Sequence, residues 1–351
     1  MEQHKVLIAM SGGVDSSVAA HLIQQSGYDC IGTIMVLCNK EQAKENVQDA
    51  KKVADRLGMP FSAIDATDAF REKVIDSFIN AYETGYTPNP CIECNKFIKF
   101  DVLLEHALSQ GCSYVATGHY AQIRQDPDTG RYLLYKAADP AKDQTYFLAG
   151  LTQHQLSHTK LPLGAMTKEQ AREIAETQGF INARKRDSQD ICFIPDGDYV
   201  SFMKNYTGKN YPGGNFLDLQ GNIVGQHNGA FAYTLGQRKG LGIALGEPVY
   251  VCGKDMERNT VTVGPNEALF AKSLLAKDWN WLPFPALTEP IRVMAKARYR
   301  HTEQPATVYP MENGFARVEF DEPQRAMTPG QAVVLYDSDM VVGSGTITEV
   351  L

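Results

Sequence analysis

The chain has 351 residues, 43% hydrophobic and 21% charged, with a formal net charge of -7. That length suits two or three globular domains, and the acidic balance excludes a nucleic-acid binder that works by bulk charge, so any RNA contact needs a local basic face. Met1-Glu2-Gln3-His4-Lys5 lacks a signal-peptide pattern and the apolar run Ile31 to Leu37 is too short to cross a bilayer, which predicts a cytoplasmic protein with no membrane partner. The cysteines number 7, an odd count without a secretion signal, and this favours reduced and chemical roles over a disulfide framework.

The run Val6-Leu7-Ile8-Ala9 reads as a buried strand. Met10-Ser11-Gly12-Gly13-Val14-Asp15-Ser16-Ser17 then leads into an amphipathic stretch with Val18, Leu22 and Ile23. Strand, glycine turn and helix in this order let backbone N–H groups and a helix N-terminus hold phosphate oxygens. A Walker loop would need a lysine, and this loop has hydroxyls and one carboxylate instead. The bland alternative is a glycine turn capped by serines. Cys30 to Leu37 and Phe61 to Ile64 read as further strands, with helices over Glu41 to Leu57 and around Phe70 to Tyr82. This alternation predicts an α/β fold, a doubly wound parallel sheet with ligands at the carboxyl ends of its strands.

Two prolines and a Cys-x-x-Cys in Tyr86 to Lys96 predict a constrained loop, followed by a helix over Phe97 to Gln110. Tyr114 to Tyr120 reads as a strand ending at Gly118 and His119, and Asp126 to Gly130 as a hairpin turn. Thr167 with Gln170 forms a capping box for a helix that reaches Gln178 and stops at Gly179. The basic run Arg184-Lys185-Arg186 lies upstream of Cys192. From about Tyr199 short alternating segments and glycine turns predict a β-rich remainder without long helices. The expected division is a catalytic domain 1–200, a small linker domain 201–268 and a C-terminal β-barrel 269–351. Barrel strands are expected near Ile291 to Arg298, Ala306 to Pro310, Phe315 to Phe320, Ala332 to Asp337 and Ser344 to Val350.

The Ser-Gly-Gly-x-Asp-Ser-Ser loop resembles that of PP-loop enzymes, which split ATP into AMP and pyrophosphate. Together with Thr87-Pro88-Asn89-Pro90, Cys94-Asn95-Lys96, Ala116 to Tyr120, Lys142 to Leu148, Asp187 to Ile194, Tyr233 to Gly242, Asp321-Glu322-Pro323 and Thr328 to Gln331, it resembles the bacterial tRNA-specific 2-thiouridylases over essentially the whole chain. The resemblance implies ATP-dependent thiolation of the wobble uridine of tRNA: adenylation of the uracil 2-oxygen, attack by sulfur, and loss of AMP. It implies that Ala9, Met10, Ser11, Gly12, Gly13, Val14, Asp15, Ser16, Ser17, Met35 and Gly118 bind ATP, Asp15 with Mg²⁺. Cys192 would carry a persulfide and Cys94 release its sulfur, with a persulfide carrier or sulfide as donor. Asn89, Pro90, Cys91, His119, Lys142, Asp143, Gln144, Arg298, Tyr299 and Gln331 match positions that touch tRNA.

Lys296, Arg298 and Arg300 alternate on an expected strand and would share one face as a phosphate track, or be ordinary surface charges. Arg184 to Arg186 would either lower the pKa of Cys192 or bind the tRNA backbone. Two departures stand out. Cys91 occupies the place of a family aspartate thought to act as acid or base, and the segment after Met35 is short. Cys91, Cys94 and Cys192 thus form a three-thiolate set like that of cluster-dependent tRNA thiolases, which hold a 4Fe-4S cluster. A third cysteine tilts the expectation toward the cluster, with the two-thiol relay as the other mechanism. Rival functions are another PP-loop ATP pyrophosphatase, such as an amide-forming ligase, and a noncatalytic tRNA-binding or iron-sulfur protein.

Overall fold

A computed structural model describes residues 4–38, 40–185 and 191–351. Seven strands come first in the chain: β1 (Lys5–Ala9), β2 (Asp29–Val36), β3 (Phe61–Asp65), β4 (Tyr114–Ala116), β5 (Gln122–Gln125), β6 (Tyr132–Tyr135) and β7 (Thr159–Lys160). Five of them form a parallel sheet in the order β3-β2-β1-β4-β7. β1 is covered on both faces, as an all-parallel sheet requires. Val6 and Ile8 pack with Val14, Val18 and Ile23 of the first helix and with Ala171 and Ala175, whereas Leu7 packs against Leu103, Leu104 and Ala107. The chain leaves β1 toward β2 on one side and returns with β4 on the other. The loops after β1 and β4 therefore part at the sheet's switch point, where a crevice opens.

The Cys-x-x-Cys segment is not the loop that was expected. The side chain of Asn89 accepts a hydrogen bond from the Cys91 N–H (3.2 Å) and Pro90 fills the first helical position, so a helix starts here, several residues before Phe97. It runs from Pro90–Glu93 through Cys94–Val102, wound with the wider π repeat, into Leu103–Ser109. π turns are rare and cluster at functional sites. A second correction concerns the onset of the β-rich part: Tyr199–Thr207 is a helix, capped by Asp198, whose carboxylate accepts from Ser201 N–H, and stopped by Gly208 in the left-handed region (φ 64°).

β8 (Gly214–Leu217), β9 (Ile223–His227), β10 (Tyr250–Asp255) and β11 (Thr260–Gly264) form a small sheet around Phe216, Val251, Val261 and Val263. β12 (Phe270–Trp281), β13 (Ile291–Lys296), β14 (Gln304–Pro310), β15 (Ala316–Arg325), β16 (Ala332–Asp337) and β17 (Met340–Val350) close into a barrel through the β12–β17 pairing. β12 was not foreseen. Register shifts and Asp278 at φ 55° interrupt its alternation, and its stacked Trp279 and Trp281 lie over Gly345 and Gly343 of β17.

The hairpin β5–β6 leaves the catalytic sheet and joins the barrel: Tyr135 pairs with Met340, and the Lys136 N–H donates to the Asp339 carbonyl (2.8 Å). Leu133, Leu134, Tyr146 and Leu148 share one core with Leu282, Val334, Tyr336 and Val341. No helix among the described residues is long and apolar enough to cross a membrane.

Candidate active site

The loop after β1 is closed by its own hydroxyls. Ser16 Oγ donates to the Gly13 carbonyl (3.1 Å) and accepts from the Ser11 N–H (3.1 Å), and Ser17 Oγ donates to the same carbonyl (2.9 Å). Gly12 is left-handed (φ +73°), and a Cβ there would stand 2.7 Å from the Asn46 carbonyl oxygen, so a side chain is excluded on both counts. Asn182, buried, donates from Nδ2 to the Gly12 and Gly13 carbonyls and to Ser17 Oγ (3.0, 3.1 and 2.9 Å), which ties the loop to the distant 180s segment. Of the expected ATP contacts, Met10 and Val14 are core side chains, so only their backbone can face a nucleotide. Ala9 ends β1, and Met35 packs with Leu37, Cys38 and Cys94.

Asp15 is the second residue of the Val14–Gln25 helix. Both its oxygens accept from Lys168 Nζ at 2.8 Å, and Oδ1 also accepts from the Tyr120 hydroxyl at 2.8 Å. The Lys168 side chain is 6% exposed and that of Asp15 30%. Gly118 lets β4's end lie under this pair, since a Cβ there would come within 2.6 Å of the Asp15 carbonyl carbon. The backbone of Gly118 thus supports the loop. These residues do not fit a divalent metal held by Asp15, because an ammonium already occupies both carboxylate oxygens.

Cys94 is buried, whereas Cys91 and Cys192 reach the surface. Burial pushes all three thiols up; Cys192, at the surface by area but set among dense protein, reaches about 12, with Cys94, Cys38 and Cys91 adding to the rise in that order. Lys99 is the cation that opposes the rise at each of the three. Arg184 instead pairs with Glu176, and Lys185 with Asn46 and Asp49; Arg186 and Asp187 to Asp190 lie outside the described residues. Among the described residues no three His, Cys, Asp or Glu side chains are arranged to hold a metal ion, so Cys91, Cys94 and Cys192 as placed do not fit a cluster. His119 links the two halves of the site. Burial, then Lys99, holds its ring well below the ordinary histidine range, and Nδ1 lies 2.7 Å from Thr117 Oγ1.

The barrel side of the expected RNA contacts is largely spent on the protein itself. Arg298 lies beyond the end of β13, so Lys296, Arg298 and Arg300 do not share a strand face. Its guanidinium donates to the Leu235 carbonyl (3.0 Å) and to Thr328 Oγ1. Gln331 Nε2 donates to the Thr87 carbonyl (2.7 Å), and the Thr87 N–H to the Pro329 carbonyl (2.9 Å), so the barrel turn holds the segment just before Asn89. Asp143 accepts from the Ala137 N–H and Thr145 Oγ1, and Gln144 accepts from the Tyr120 N–H. The Lys142 N–H donates to the Asp139 carbonyl, and Tyr299, 37% exposed, packs on Phe147. The sequence assigned no role to Lys168, Tyr120, Asn182, Lys99 or Cys38, although Tyr120 closes the Ala116 to Tyr120 motif and the Thr167 capping box adjoins Lys168.

Residues 4–196 match the family described as a tRNA methyl transferase HUP domain, 200–265 its PRC-barrel domain and 271–347 an aminomethyltransferase beta-barrel domain. The tRNA-specific 2-thiouridylase MnmA of Clostridioides difficile is 49% identical over 356 residues, 99% of this chain and 99% of that protein. Its namesake in Acetivibrio thermocellus is 48% identical over 358 residues, 99% of this chain and 100% of that protein. The solved U34-tRNA thiolase NcsA of Methanococcus maripaludis, with its 4Fe-4S cluster, aligns with 59% of this chain and 68% of that chain at 15% identity and TM-score 0.38, too slight a likeness to bear on the site.

Proposed function

We propose, since this chain belongs to the family of tRNA-specific 2-thiouridylases, that it uses ATP to replace the 2-oxygen of the wobble uridine of tRNA by sulfur, in the cytoplasm. The division 1–200, 201–268 and 269–351 belongs to this reading. The observation that carries it is the meeting of two chemistries at the ends of β1 and β4: Gly118 supports the Asp15 loop, and the next residue, His119, shares the field of Lys99 with Cys91, Cys94 and Cys192.

In this reading the uracil 2-oxygen attacks the α-phosphorus of ATP, and the bond to pyrophosphate breaks. The amides of the Gly12–Gly13 turn, at a helix N-terminus and held in place by the Ser16 and Ser17 hydroxyls, meet the leaving group. AMP then replaces oxide as the group to be expelled. The base is flipped to reach Cys91 and the Asn89-Pro90 helix start. The outer sulfur of a Cys192 persulfide attacks C2 and AMP leaves. Cys94 sulfur attacks Cys192 sulfur, the old S–S bond breaks toward the base to leave C=S, and a Cys94–Cys192 disulfide remains for an external thiol to reopen. Cys94 heads the thiols whose charge raises Cys192, which fits the two as reaction partners in this relay. A persulfide also suits a site that keeps plain thiols protonated. The donor in this reading is a persulfide carrier. Nucleoside mass analysis of tRNA from cells lacking the protein should show 2-thiouridine missing at the wobble position; an unchanged nucleoside profile removes the proposal.

A further inference from the structure

We infer that Lys168 is the resident cation of this lysine-less pyrophosphate loop, neutralising Asp15, and that Asp15 holds Lys168 there in place of a metal ion. The inference rests on the proposal that the loop binds ATP. Asp15 brings a negative charge to the helix N-terminus that would receive a polyphosphate, and an uncompensated carboxylate there opposes the phosphate charge. Lys168 cancels it from behind: its ammonium lies 2.8 Å from both oxygens and is the more buried partner, 6% against 30% exposed.

The pair is fixed before any nucleotide arrives. Thr167 and Gln170 close a capping box that sets where the Lys168–Thr177 helix begins, and the Lys168 N–H donates to Asp139 Oδ2 (3.1 Å). That helix packs on the Val14–Gln25 helix through Ala171 and Ala175. Tyr120, 2% exposed, holds Oδ1 from the β4 side, and the Gly118 backbone lies under the Asp15 main chain. A divalent cation on the same two oxygens would face an ammonium at contact distance. The metal therefore arrives on the phosphates, and Lys168 is a positioning residue that acts through Asp15.

The test is calorimetric titration of the full chain with ATP, once with Mg²⁺ and once with EDTA, alongside thermal melting. Asp15→Asn removes the carboxylate charge from the loop and should tighten ATP binding in EDTA at least threefold. Lys168→Met should weaken it at least tenfold, and Lys168→Met with Asp15→Asn should return to within threefold of the wild type. If Asp15→Asn weakens binding in Mg²⁺ alone, Asp15 is a metal ligand and the inference fails. If the double variant binds as poorly as Lys168→Met, Lys168 touches phosphate itself and the inference fails. Should Lys168→Met not fold, Asp15→Asn and the double variant still decide. A wild-type protein that binds no ATP in either buffer removes the ATP reading itself, whereas ATP binding indifferent to all three variants removes only the role of Lys168.

Discussion

The pyrophosphate loop and the thiol site adjoin across the end of β4, yet they are built in opposite ways. In the loop, serine hydroxyls, Asn182, Lys168 and Tyr120 satisfy the main chain and Asp15 in advance. At the thiols, sulfur is left protonated, and Lys99 is the cation shared among three of them. Electrostatic stabilisation works best when donors are fixed before charge develops. Sulfur transfer instead needs a nucleophile that stays quiet until it is loaded, because a free thiolate invites oxidation.

The largest effect that would sharpen this contrast comes from Cys94→Ser. It should abolish 2-thiouridine formation while ATP cleavage to AMP with tRNA persists, measured side by side; thiolation at wild-type rate would end the two-thiol relay. Next, Ser16→Ala opens the hydroxyl network that holds the loop's amides in place and should slow pyrophosphate release by about 100-fold, the size of effect that losing one preorganised donor has elsewhere. Retained pyrophosphate release would mean the network only folds the loop.

A third break is in pH. With its thiol pushed up to about 12, Cys192 should be alkylated about tenfold faster per pH unit from 7 to 10 with no plateau, read by mass spectrometry of the labelled peptide. Lys99 lowers each thiol's pKa, so Lys99→Met must raise it further and slow alkylation at every pH in that range. A plateau near pH 8 would contradict the protonated resting site. Arg298→Ala should cost roughly 1–3 kcal/mol of stability, since it removes bonds to Leu235 and Thr328. Its salt slope for tRNA binding should stay at the wild-type value, whereas a fall of about one would mark a phosphate contact. The smallest effect is expected from Cys91→Ser, which should keep thiolation within about threefold in air; damage equal to that of Cys94→Ser would restore the cluster.

The loop was legible because its residues are neighbours in sequence, and glycine, hydroxyl and strand context define it locally. Lys168 was not: it lies far along the chain, and only the packing of two helices brings it to Asp15. The Asn89-Pro90 pair carried a helix-start signal that two prolines and a Cys-x-x-Cys obscured. Arg298 looked like a surface charge on a strand because the sequence does not show where β13 ends. Cys38 had no motif around it, and its place near Cys192 is a product of tertiary packing.

The hairpin β5–β6 ties the order of synthesis to the finished fold. Tyr135 leaves the ribosome ~200 residues before Met340, its partner in β17. At ~5–20 residues per second that interval is on the order of 10–40 s. During it the hairpin presents an unpaired edge and the apolar side chains of Leu133 and Leu134, the kind of surface that captures other strands. The first-made part of this protein is therefore completed by the last, and a chain interrupted before the barrel would emerge with its catalytic half open to aggregation.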